Sequence, residues 1–158
     1  MRAFEEHDHQ KCRQAGIAVA EAKCKAAGVR LTDVRRRVLE ILLESHQAIG
    51  AYQVLARLQE EGHGSHPPLA YRALEFLVQN GLAHKLESAN AFVACATPEV
   101  GHNPAFFICR LCGSVAEDED FSIARALNKV ANEAKFKVET TAVELEGLCS
   151  FCQQGCEL

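Results

Sequence analysis

No stretch of this 158-residue sequence approaches the roughly 20 consecutive apolar residues that a membrane-spanning helix needs. The first ten residues, Met1-Arg-Ala-Phe-Glu-Glu-His-Asp-His-Gln10, hold no apolar h-region and no small-residue cleavage site. Nothing in them reads as an export signal, so a cytoplasmic protein without membrane association is expected. Internal repeats and low-complexity tracts are also missing, which leaves an ordinary globular chain. An excess of basic charge is lacking too: the formal net charge is −4. Taken whole, that charge argues against a nucleic-acid partner.

The distribution of charge reverses that last inference. Residues 1–88 carry 12 Lys/Arg against 11 Asp/Glu, a net of +1, whereas residues 89–158 carry 5 against 10, a net of −5. Within 22–37, Lys23, Lys25, Arg30, Arg35, Arg36 and Arg37 stand against Asp33 alone. Such a stripe suits phosphates, and equally a solvated helix face. A composition of 48% hydrophobic and 24% charged residues excludes a largely disordered chain. The length allows one ordinary domain or two small ones with limited cores.

The first half reads as helices. Residues 11–27 are rich in Ala and Lys and stop at Gly28. A second helix starts after Thr32 and runs to about Ser45, with Val34, Val38, Ile41 and Leu42 on one stripe. A third spans about Ala51–Glu61, and a fourth opens at Pro67-Pro68 and ends at Asn80-Gly81. Short strands follow at Leu82–Ser88 and Ala91–Cys95. A two-residue loop at Ala89-Asn90 would set Ser88 opposite Ala91 and His84 opposite Cys95. This succession predicts a winged helix-turn-helix. Pro98, Gly101 and Pro104 mark a boundary, followed by strands at Phe106–Cys109 and Ser114–Asp118, a helix over Phe121–Ala134, and a long alternating strand from Phe136 to Leu145. The expected class is α+β: a winged-helix DNA-binding domain over 1–95, a hinge over 96–104 and a small α/β dimerisation domain over 105–158.

Of eight cysteines, four form two C-x-x-C pairs, Cys109/Cys112 and Cys149/Cys152. In a reducing compartment such pairs point to metal or redox chemistry rather than to a disulfide framework. Two thiolates on each of two tight turns close a tetrahedral zinc site, and the 36 intervening residues require a folded segment between the turns. The rival is a thioredoxin-type redox pair, which needs a single C-x-x-C at a helix start after a strand. A second, dispersed constellation consists of His84 and Cys95 on the hairpin, His102 in the loop and Glu117 beyond it. These four are a second metal site, or else a buried filler thiol, a solvated wing histidine and part of an acidic run. For DNA, Tyr71 and Arg72 lie near the start of the fourth helix, where helix-turn-helix proteins touch bases. Arg pairs well with guanine, although an exposed Arg on an amphipathic helix needs no such role.

Pro67-Pro68-Leu-Ala-Tyr71-Arg72-Ala-Leu74, then Asn80-Gly81-Leu, then the paired C-x-x-C motifs, resemble the ferric uptake regulator (Fur) family over nearly the whole chain. Pro67-Pro-x-x-Tyr-Arg-Ala-Leu-x-Phe-Leu77, His84-Lys-x-Glu-Ser-x-Asn90, Phe107-Ile-Cys109 and Gly147-Leu-Cys149 look most like the zinc-sensing branch of that family, the zinc uptake regulators. The resemblance implies a non-enzymatic repressor with two zinc ions per protomer. It implies a homodimer that binds palindromic double-stranded operator DNA when zinc-loaded and represses zinc-import genes. It places regulatory zinc on His84, Cys95, His102 and Glu117, structural zinc on Cys109, Cys112, Cys149 and Cys152, and DNA contact on Tyr52 and Arg72. Two departures stand out. Leu69-Ala70 replaces a common Thr-Val before Tyr-Arg, and only His102 occupies Gly101–Phe106, where iron sensors carry a His- and Asp-rich run. The second departure disfavours iron, as does Cys95, because a thiolate suits zinc. An iron- or peroxide-sensing member of the family is the alternative, with a C-x-x-C redox protein behind it.

Overall fold

The structure, a computed structural model, describes residues 9–98, 104–118, 122–139 and 141–155. Its contacts divide the chain into two units, one within His7–Val100 and one whose described residues fall within Gly101–Leu158.

The first unit is built from α1 (His9–Ala26), α2 (Asp33–Leu42), β1 (Ile49–Gly50), α3 (Ala51–Glu60), α4 (Pro67–Gln79), β2 (Ala83–Leu86) and β3 (Ala91–Ala94). Apolar residues at helical spacing explain why these segments pack. Val38, Ile41 and Leu42 of α2, Val54 and Leu58 of α3, and Ala70, Leu74 and Leu77 of α4 are all almost completely buried in one core. Each Leu or Ile so placed contributes about 1.5–3 kcal/mol from burial. Helix α4 takes Pro67 and Pro68 in its first turn, where their missing N–H groups leave no ladder bond unmade. It ends in a Schellman turn: Gly81 N–H donates to Val78 C=O at 3.0 Å and Leu82 N–H to Leu77 C=O at 2.8 Å. Gly81 has φ +61°, which a glycine adopts without steric cost.

The strands form an antiparallel sheet in the order β1-β3-β2. Its hairpin register differs from the expected one. His84 lies opposite Val93 and Leu86 opposite Ala91, so the loop holds four residues, 87–90. A two-residue type I′ turn needs positive φ at both positions, and only Asn90, at φ +45°, adopts it. Ala89 has a side chain that resists that conformation, and the strands therefore close two residues earlier. A slip of two preserves each side chain's face. His84 and Cys95 thus stay on one face of the wing, but diagonally rather than directly opposed. Strand β1 was not expected; two residues are too short to show a period.

The second unit contains β4 (Ala105–Cys109), β5 (Val115–Glu117), α5 (Ser122–Glu133), β6 (Val143–Gly147) and α6 (Ser150–Gln154). Its sheet runs β5-β4-β6, with β5 antiparallel and β6 parallel to β4. The expected long strand over 136–145 is realised only at its end: residues 136–139 carry no strand, and β6 runs from Val143 to Gly147. Strand length follows the partner, and β4 offers only the five positions Ala105–Cys109 to pair with Val143–Gly147. Alternation in 136–139 therefore has no ladder to join. Asp118 accepts hydrogen bonds at Oδ2 from Ile123 N–H (3.2 Å) and Ser122 Oγ (3.4 Å), capping the start of α5. Among the described residues no helix is long and apolar enough to cross a membrane.

Candidate metal centres and nucleic-acid interface

The parallel pairing of β4 with β6 sets Cys109 opposite Gly147, which brings both C-x-x-C turns to the same end of the sheet. Cys109 ends β4, and the chain then turns through Gly113 at φ +72°. Cys149 is the N-cap residue of α6, with extended φ −70° and ψ 164°, and Cys152 follows within the first turn of that helix. The four Sγ atoms all lie within 4.8 Å of one another. Cys112 Sγ and Cys149 Sγ are 3.7 Å apart. That is the edge, about 3.8 Å, of a tetrahedron with Zn–S bonds of about 2.3 Å, and far from the about 2.05 Å of a disulfide.

The backbone favours thiolates here. N–H groups of Cys112 and Cys149 point at Cys109 Sγ and pull its pKa down to about 6; the Cys149 N–H donates at 3.4 Å. The Ser114 hydroxyl, 3.3 Å from Cys112 Sγ, and its backbone N–H lower the Cys112 pKa as well. Cys152, hydrogen-bonded to Cys149, desolvated and beside the other sulfurs, is pushed up to about 12. Without a cation Cys152 holds on to its proton; a divalent metal would take that proton's place. Donor type, number and spacing all fit zinc, held by Cys109, Cys112, Cys149 and Cys152, where it would supply cross-linking and no open coordination position.

In the first unit, His84 of β2 and Cys95, just beyond β3, share a face. A ring nitrogen of His84 and Cys95 Sγ lie within 4.8 Å. Cys95 is 7% exposed, and its N–H donates to Leu82 C=O at 3.0 Å. An imidazole and a buried thiol at this separation are two candidate ligands for a borderline-soft cation such as zinc. Glu117 ends β5 of the second unit and is buried. His102 lies outside the described residues.

Helix α4 presents Arg72 and Tyr71 to solvent, and Tyr52 projects from α3 with 72% of its surface exposed. The two tyrosine rings meet edge to face, with centroids 6.3 Å apart and planes at 89°. Arg72 makes no ion pair among the described residues, so its five donors remain available. Leu69 packs against the core and Ala70 is fully buried. Four of the six cations in the basic stripe over 22–37 are engaged within the protein, while Lys25 and Arg30 stay exposed. Arg36 pairs with Glu21 and Glu40, and Arg37 with Glu40, Glu44 and Glu61. Arg35 lies over the Phe76 ring at 3.7 Å, and Lys23 is spent on backbone carbonyls. The carboxylates that pair with Arg36 and Arg37, Glu21, Glu40, Glu44 and Glu61, all lie outside the stripe in sequence, so a count confined to 22–37 could not reveal them.

Residues 26–146 match the Ferric uptake regulator family. The chain belongs to that family. Its members are transcription regulators and not enzymes, and this chain is a metal-responsive one. It is similar to the zinc uptake regulation protein of Escherichia coli (strain K12), with 36% identity over 137 residues covering 86% of this chain and 80% of that protein. A solved zinc uptake regulator complexed with zinc and DNA matches at a TM-score of 0.83 and 35% identity, covering 90% of this chain and 96% of the other. The crystal structure of holo XcZur matches at a TM-score of 0.78 and 37% identity, covering 87% and 96%.

Proposed function

We propose that this chain is a cytoplasmic, zinc-responsive transcriptional repressor that binds operator DNA as a zinc-loaded homodimer and controls zinc-uptake genes. One structural zinc sits on Cys109, Cys112, Cys149 and Cys152. A second, regulatory zinc is held by His84, Cys95, His102 and Glu117, and Tyr52, Tyr71 and Arg72 contact DNA. In this reading 1–95 is the DNA-binding domain, 96–104 the hinge and 105–158 the dimerisation domain. The observation that carries it is the buried Cys95 thiol within 4.8 Å of a His84 ring nitrogen on the wing, since a thiolate in the second ligand set selects zinc over the oxygen- and nitrogen-preferring iron(II). Similarity to zinc uptake regulators supports it. A homodimer is supported by Leu127 and Val130 of α5 together with Phe136 and Leu145, large apolar side chains that remain exposed in the second unit.

Mechanistically this is linkage. Zinc bound to ligands drawn from the wing, the hinge and the second unit favours the arrangement that fits DNA, and DNA must tighten that zinc in return. The test replaces Cys95 by Ser, keeping the size but exchanging a soft thiolate for a hydroxyl that stays protonated. Zinc content and operator affinity are measured on the same dialysed protein. The expected outcome is one retained zinc per protomer, an intact dimer and loss of zinc-dependent operator binding. Unchanged zinc-responsive binding returns Cys95 to the role of a packed core residue.

A further inference from the structure

We infer that Arg35, with Arg30 beside it, forms a phosphate-binding pair that flanks helix α4 and grips the sugar-phosphate backbone of duplex DNA. The inference rests on the DNA-binding reading proposed above. Three consecutive arginines, Arg35, Arg36 and Arg37, lie in the first turns of α2, and the protein treats them differently. Arg36 and Arg37 are neutralised by glutamates. Arg35 pairs with no carboxylate among the described residues.

Instead, the Arg35 guanidinium lies over the Phe76 ring, 3.7 Å from its centroid, and its Nη1 donates to the Arg30 carbonyl oxygen at 2.7 Å. Stacking uses the face of the guanidinium and leaves its edge. Only one of its N–H groups is spent on a hydrogen bond among the described residues, so the rest of the fork remains available. The group is held at two points and still has donors to give.

Its place is set by α4. Phe76 follows Arg72 by four residues, one turn along the same side of that helix. Arg72 is exposed, whereas Phe76 is half-buried and packs against the core. The stacked guanidinium therefore lies at the margin of the exposed face that carries Arg72, not at its centre. Arg30 is also exposed and without a carboxylate partner among the described residues, and the bond from Arg35 to its carbonyl keeps its backbone at that margin. A helix that reads bases lies in a groove walled by two phosphate strands, so cations along its margin meet phosphates. Two anchoring points keep Arg35 from extending to a base edge. A planar guanidinium held in one orientation suits phosphate oxygens and has little rotamer freedom left to lose.

The test measures, on zinc-loaded full-length protein, how the binding constants for operator and for random duplex DNA fall with salt. Each phosphate contact contributes about 0.9 to the slope of log K against log salt. With two protomers on the operator, Arg35→Met should flatten that slope by about 1.8, and Arg30→Met should do the same. Both DNAs should weaken by a similar factor, leaving their ratio at the wild-type value, because phosphate contacts carry no sequence information. Arg35→Lys, which keeps the charge without the planar stack, should restore most of the slope. Arg30→Met removes only an exposed side chain, so it decides the matter if Arg35→Met fails to fold. A wild-type slope in either folded variant overturns the inference: an Arg35 that merely staples α2 to α4 would lower the melting temperature and leave the salt dependence alone. A loss confined to operator DNA overturns it as well, by making the pair base contacts. Wild-type protein whose operator binding ignores zinc would instead overturn the proposed function, a separate result.

Discussion

Replacing Cys149 by Ser tests whether the sulfur cluster is a folding element of the second unit. The sequence of consequences starts from burial. Among the described residues the buried apolar side chains of that unit are few: Ala105, Phe106, Val115 and Ala116, beside Cys109 and Cys149 themselves. Helix α5 buries no residue. A unit of this size cannot offset its ordering entropy by apolar burial alone. Structural zinc in small metal domains contributes about 10–16 kcal/mol of apparent binding free energy, which is folding free energy where the apo form is unfolded. An even division over the four sulfurs gives each about 2.5–4 kcal/mol, which corresponds to a loss in zinc affinity of roughly a hundredfold to a thousandfold. The backbone N–H of Cys149 that points at Cys109 Sγ survives the substitution, so the effect isolates the sulfur. Two measurements read it: zinc retained against a chelator under reducing conditions, and thermal unfolding followed by circular dichroism. We expect zinc loss, an early transition from the second unit and a preserved transition from the helical unit, whose core lacks these cysteines. A Ser variant that holds its zinc against chelator and melts like wild type would refute the reasoning.

Three further outcomes are expected. Arg72→Ala should weaken specific operator binding by about 1–3 kcal/mol at unchanged zinc content; an equal drop for operator and random DNA would make Arg72 a phosphate contact. Operator DNA should tighten the regulatory zinc by the same factor by which that zinc tightens DNA, and leave the structural zinc unmoved, in chelator competition with and without DNA. The Arg37 guanidinium holds the Glu61 carboxyl below its ordinary pKa. A depressed carboxylate contributes stability above its unfolded pKa of about 4.3 and loses it as pH falls through the folded value. Urea midpoints between pH 6 and 3 should therefore fall less steeply in Arg37→Met than in wild type, and parallel profiles would show that the pair contributes nothing.

The helices were legible because their ends are written locally. Gly28, Gly62 and Gly81 take positive φ past α1, α3 and α4, and Pro67-Pro68 opens α4. Both cysteine pairs were legible for the same reason, since spacing within a turn is a local property. The wing register was not. It depended on which residues of the loop accept positive φ, and an expectation of a two-residue turn placed that demand on Ala89. The face shared by His84 and Cys95 survived the error only because the slip was even. The extent of β6 was illegible in principle from its own residues, because β4 sets it. The Arg36 and Arg37 pairs failed similarly: Glu21 and Glu61 come from α1 and from just past the end of α3, and no window along the sequence contains them all.

The two candidate centres differ in a way that bears on their roles. All four sulfurs of the first come from one unit, and the β4 and β6 ladder that carries them is hydrogen-bonded independently of any metal. A cation there meets ligands already within 4.8 Å of one another, so little of its binding free energy goes into arranging them, and tight, persistent binding follows. On the wing, the sheet supplies only His84 and Cys95. The proposal adds His102 and Glu117 as the remaining donors, both beyond the wing in sequence. Affinity at such a site is divided by the fraction of molecules already in the competent arrangement. Under the proposal the second zinc is therefore the weaker of the two, and its binding is the one that selects an arrangement of the chain. A fully pre-assembled site would bind more tightly and regulate nothing, because a ligand with equal affinity for both states shifts neither.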